Sequence, residues 1–208
     1  MALTFGPTEI QSGGDDADWD YQTYSQTGTV LTVGGDNGTA DEISAGWIFD
    51  VSASINSGDT INSATLTLVS DFSNEDLDSG KISGVDEDNR SSWADSSGNR
   101  PAESSNTGPT ETTANLTGVS MTAAAGGTEY EHTVTSIVAE IVARAGFAGH
   151  IAFVCANNGG TIQFLKLAAF ENTTDNPADL EIDYTAGGGG GISIPVAIHS
   201  YRQRRTPA

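Results

Sequence analysis

The sequence predicts an all-β sandwich that carries one amphipathic helix. Three observations predict it. Of 208 residues 25 are Gly and only 17% are charged, with Ser, Thr, Asn and Asp crowding the stretches between apolar runs, which is the composition of a turn-rich β protein. Several short runs alternate apolar and polar residues with period two. One segment alone switches to helical periodicity. The length suits about one domain, long enough to bury roughly two-thirds of its unfolded surface.

The elements follow in order. Residues 1–28 are a polar lead-in with an acidic knot at Asp15, Asp16, Asp18 and Asp20 around Trp19. Thr29–Val33 reads as a short strand closed by the turn GGDNG. Trp47, Phe49 and Val51 alternate with Ile48, Asp50 and Ser52, a strand with Trp47 in the core. Thr60–Val69 alternates too, but its phase shifts near Ser63, which a bulge or bend explains. Residues 70–80 are an acidic loop, and Ile82 and Val85 mark a strand tucked beneath it.

Residues 89–113 hold no apolar period, only Trp93, two prolines and many small polar residues. They are expected to form a long surface excursion that Trp93 anchors. Ala114–Val119 and Glu129–Thr133 are strands around a Gly-rich turn. Val134, Ile137, Val138, Ile141 and Val142 make one apolar stripe, so a helix is expected over about 134–145, covering an end or face of the sandwich. Thr133 or Thr135 is expected to cap its start and Gly146 to end it. Ile151–Ala156, Ile162–Phe170 and Leu180–Tyr184 close the sheets, the first of them central because it is apolar on both faces.

Residues 1–186 thus form the domain. Gly187–Gly191 is a flexible linker, and 192–208 is an extended arm. The arm alternates Ile192, Ile194, Val196 and Ile198, with Pro195 barring a central-strand position, and ends with Tyr201, Arg202, Arg204 and Arg205. Those eight residues are the expected partner-binding set: an apolar segment beyond a free hinge should dock on a neighbour by strand addition or arm exchange.

Charge is divided unevenly. The chain has 28 acidic and 8 basic residues, net −20, yet 192–208 contains three Arg and no acid, so residues 1–191 carry −23. Such a body repels phosphate, which excludes nucleic acid as a partner. No apolar run of 18 residues exists, so no membrane span is expected, and no signal peptide is read at the N-terminus. Cys155, the single cysteine, lies in the apolar run IAFVCA and reads as a buried thiol.

Candidate chemistry is sparse. Asp86, Asp88 and Asn89 offer hard oxygens of the kind Ca²⁺ takes, but their spacing lacks the Gly and distal Glu of a Ca²⁺ loop, and self-capping Asx turns are the expected use. The acidic knot is weighed the same way. His132, His150 and His199 have no ligand spacing. No nucleophile elbow is present. No metal, no cofactor and no catalytic residue is therefore assigned, and the chain is not expected to be an enzyme. Trp19 and Trp93 are possible ligand-facing aromatics, a sugar-stacking platform if their rings are exposed.

The order of pieces resembles a jelly-roll β-sandwich family found in bacteriophage virion proteins and in bacterial secreted proteins, the domain often called DNRLRE and related to a class of carbohydrate-binding modules. The matching segments are GWIFDV at 46–51, SGDTINSATLTL at 57–68, ISGVDEDN at 82–89, TVTSIVAEIVARAGF at 133–147 and LEIDYT at 180–185. They span about residues 29–185. The acidic knot and the linker with its basic arm depart from the pattern. Without an export signal the phage branch is favoured. The resemblance implies a virion structural protein, foremost a capsid decoration or cement protein on the exterior of the head, made in the host cytoplasm and not secreted. It implies contact with the major capsid protein or other virion proteins, as a homotrimer. The alternative is a head-fibre or tail-associated carbohydrate-binding module that recognises a host glycan.

Overall fold

A computed structural model describes residues 2–10, 12, 14–20, 23–35, 43–71, 76–102, 107–122, 124–159 and 164–187. The described residues form twelve strands and one short helix. They are β1 (Ala2–Glu9), β2 (Asp16–Asp20), β3 (Thr23–Ser25), β4 (Val30–Gly34), β5 (Ile43–Asp50), β6 (Thr60–Val69), β7 (Leu77–Val85), β8 (Glu111–Met121), β9 (Glu129–Thr133), α1 (Thr135–Val142), β10 (His150–Asn157), β11 (Phe164–Ala168) and β12 (Asp179–Thr185). The strands form two antiparallel sheets. The smaller is ordered β1-β12-β6-β9 and the larger β11-β4-β5-β10-β7-β8, with the β2–β3 hairpin attached to β5. The all-β class with one helix is as the sequence predicts.

The inner faces meet in one core. Leu66, Leu68, Leu180 and Ile182 of the small sheet face Trp47, Phe49, Ile151 and Phe153 of the large one. Phe49 and Phe153 pack edge to face, with ring centroids 6.1 Å apart. The helix closes one end, with Ile137, Val138, Ile141 and Val142 all buried. Eight residues are too few for a stable isolated helix, so packing and not propensity holds it. Neither predicted cap is formed. Val134 is the N-cap residue without a side-chain bond, and Thr135 Oγ1 instead accepts the Ala64 N–H at 2.9 Å. The helix stops at Ala143 in ordinary α geometry, and Gly146 serves a different need: a Cβ there would strike the Asp88 carboxylate.

The phase shift near Ser63 is a bulge. Asp183 pairs with Ser63 but Tyr184 pairs with Ile61, so Asn62 is the extra residue. Two expectations need correction. The acidic 70–80 stretch gives way to β7 at Leu77. The polar lead-in contains three strands, because Leu3 and Phe5 reach the core from β1 and the knot is the period-two strand Asp-Ala-Asp-Trp-Asp. Residues 162–163 of the predicted strand, and the linker and arm from 188 onward, lie outside the described residues.

β10 is buried on both faces, as its composition predicted. Its outward residues Ala152 and Val154 join Ala17, Ile48 and Val85 in a second, smaller core on the far side of the large sheet. The 86–110 excursion roofs it with Trp93, 2% exposed. Gly46 makes that roof possible: a Cβ there would lie 2.5 Å from Trp93 Cζ2 and 2.6 Å from Pro101 Cβ. Gly46→Ala should therefore destabilise the fold by about 1–3 kcal/mol through overpacking, and Trp93→Ala by about 3–5 kcal/mol through the cavity it leaves. Urea unfolding measures both, and wild-type midpoints would refute the roof.

Candidate functional site

The tryptophans do not form a platform. Trp93 lies under its own loop, and Trp19 on β2 is 6% exposed. Each ring has a guanidinium over it, Arg90 Cζ at 5.2 Å from the Trp93 centroid and Arg100 Cζ at 4.0 Å from that of Trp19. Arg90 is itself buried and ties Glu87, the Gly98 carbonyl and Asn99 together. Arg100 reaches Asp95 and Thr107. These aromatics and cations hold the excursion down, so the ligand-facing reading of Trp19 and Trp93 is corrected.

Asp86 and Asp88 face a cation supplied by the chain. Arg144, just beyond α1, donates through Nε to Asp88 Oδ1 at 2.7 Å and through Nη1 to Asp86. The Ala148 N–H donates to the Asp88 carbonyl at 2.9 Å, and Asn89 Oδ1 meets His150 Nδ1. The segment is a latch between the excursion and the helix end.

The acidic knot does something the composition concealed. Among the described residues β4 pairs with β5 at one position, Gly34 opposite Ile43. Side chains of β2 take up backbone donors in the gap. Asp18 Oδ2 accepts from Thr32 N–H at 3.1 Å and Asp16 Oδ2 from Phe170 N–H at 2.7 Å. Asp16 is 1% exposed, and its Oδ1 is buried without a donor, as is Glu171 Oε2. Burial pushes the Asp16 carboxyl up to about 7, helped by the charges of Glu171 and Asp15, while the Phe170 N–H opposes the shift.

This clasp holds the segment that lines a polar cleft of about 430 Å³. Thr29, Asp71, Gly126 and Asn172–Asp175 form its walls. Asn172 Oδ1 accepts from the N–H groups of Thr174 (2.8 Å) and Asp175 (2.9 Å), and its Nδ2 donates to the Thr29 carbonyl at 3.3 Å. Asp175 presses on Gly126, where a Cβ would lie 2.7 Å from Oδ2. Burial, then repulsion by Asp71, raises its pKa. Asn172–Asp175 carry no signal in the sequence, because the walls of the cleft come from four separated segments. Cys155 is buried, as expected. The eight arm residues from Ile192 to Arg205 lie outside the described residues. Among the described residues no helix is long and apolar enough to cross a membrane.

No family model matches the chain, and no curated relative does either.

The buried carboxyl sets a pH dependence. Its folded pKa lies above the ordinary 3.8, so the stability it lends is complete below about pH 4 and is lost as pH rises through about 7. Asp179, pushed up to about 6, acts with the same sign. Asp16→Asn keeps the acceptor for Phe170 and gains a donor. The variant should match wild type at pH 3 and exceed it at pH 8, by up to about 4 kcal/mol at 1.36 kcal/mol per unit. Urea unfolding at both pH values checks this, and an equal deficit at both would refute it.

Proposed function

We propose that this chain is a virion structural protein of a bacteriophage, a decoration or cement protein that sits on the capsid exterior and strengthens the head by non-covalent contacts. The observation that carries this reading is where the body spends its chemistry. Trp19, Trp93, Asp16, Asp18, Asp86 and Asp88 all hold the fold together. Four of the five cations in residues 1–191 are in ion pairs with the body's own carboxylates. The other three cations of the chain lie in the arm, beside an apolar stripe. A rigid acidic block with such an arm suits attachment to a larger assembly. The ordered segments from GWIFDV to LEIDYT, which resemble the phage branch of the jelly-roll family, support the same reading, with a homotrimer and the major capsid protein as partners.

The described body ends on an anchored residue, since Gly187 N–H donates to Asp59 Oδ1 at 2.7 Å. Protein ending at Gly187 should therefore keep its unfolding free energy in urea within about 0.5 kcal/mol. It should also lose co-sedimentation with phage heads stripped of the full-length protein. Retained head binding by the truncated form would sink the role of the arm.

The second reading, a carbohydrate-binding module of a head fibre or tail, moves from the tryptophans to the cleft. Asp71, Asn172, Thr173, Thr174 and Asp175 supply hydrogen-bonding groups of the kind that hold sugar hydroxyls. Glycan-array binding abolished by Asp175→Ala would favour it, and an array with no signal would remove it.

A further inference from the structure

The strand registers place an unusual surface on the small sheet. Leu180, Ile182, Leu66, Leu68, Tyr130 and Leu3 face the core, so their alternates face outward. Glu9, Asp179, Thr67 and Glu131 lie in one row across all four strands, and Glu181, Thr65 and Thr133 in the next. Asp183 and Glu129 extend the same face. It thus carries six carboxylates, while β1, β6, β9 and β12 contain no Lys or Arg. Burial, followed by the charges of Glu129 and Glu9, raises the Asp179 pKa, a sign of crowding. The cations of the body sit elsewhere: Lys81, Arg90, Arg100 and Arg144 pair with Glu111, Glu87, Asp95 and Asp86/Asp88, and Lys166 is on β11 of the other sheet.

The remaining cations of the chain are Arg202, Arg204 and Arg205. We infer that the outer face of the small sheet is the docking surface for the basic tip, residues 199–205, of a second copy of this chain. The inference rests on the assembly role proposed above and names the surface that the arm engages. Charge complementarity selects the occupant. The reach allows it: the fifteen residues from Gly187 to Arg202 extend up to about 50 Å, against roughly 23 Å for the length of β12.

The exit point favours a second copy over the same one. The described chain leaves β12 after Thr185, so an arm returning over its own sheet meets Asp183 and Glu181 first. The residues arriving there would be the apolar run Ile192–Ile198, which carboxylates do not accommodate. In exchange between copies the apolar run crosses the interface, and only the arginines reach the acids.

A charge swap tests this. Full-length protein, Glu131→Lys/Glu181→Lys, Arg202→Glu/Arg204→Glu/Arg205→Glu and the combination of both would be compared by light scattering. Both glutamates are exposed, so their reversal spares the core. Wild type should be oligomeric at about 50 mM salt and dissociate towards about 500 mM, where the screening length falls well below ~10 Å. Each single-sided reversal should give a monomer, and the combination should restore the oligomer. A wild-type monomer at low salt, an oligomer indifferent to reversal of the face, or a failed restoration would each overturn the inference. Head co-sedimentation of the same proteins separates the two ideas. Head binding by a face-reversed protein whose mass is unchanged rejects this docking surface and leaves the decoration role standing. An arm-dependent oligomer that ignores heads does the reverse.

Discussion

The fold depends on one constraint, that the centre of the large sheet is apolar on both sides. β5 and β10 present Trp47, Phe49, Ile151 and Phe153 one way and Ile48, Ala152 and Val154 the other. Each surface has to be removed from water. The small sheet and α1 cover the first. Among the described residues no sheet covers the second, and the segment around Trp93, residues 86–102, takes that place. Trp93 supplies the apolar area, Gly46 the room for it, and the Arg90 and Arg100 networks the fixing.

Acidic residues then divide into three populations by environment. Some are structural acceptors: Asp16 and Asp18 take up the backbone N–H groups of Phe170 and Thr32. Some are counter-ions, as Asp86 and Asp88 are for Arg144. The third population, on the outer face of the small sheet, has no cation on its own strands. A net charge of −20 therefore does not describe a uniformly solvated surface. Carboxylates that must be buried become pH-sensitive, as Asp16 and Asp179 do.

The sequence by itself determined the elements whose side chains repeat with a clear period. β6 came out residue for residue, β10 as a central strand, and the α1 stripe intact, because one-sided or two-sided burial writes itself into alternation. It also determined that Trp93 anchors the excursion and that Cys155 is buried. It concealed β1 to β3. Asp-Ala-Asp-Trp-Asp has strand period, but carboxylates pointing inward read as surface until the backbone donors of Thr32 and Phe170 are seen beside them. Tertiary structure alone decided the rest: the fate of Trp19, the pairing of Asp86 and Asp88 with Arg144, the cleft, and the row from Glu9 to Glu131. Each joins residues far apart in the chain, and local propensity and spacing carry no record of which strand lies beside which.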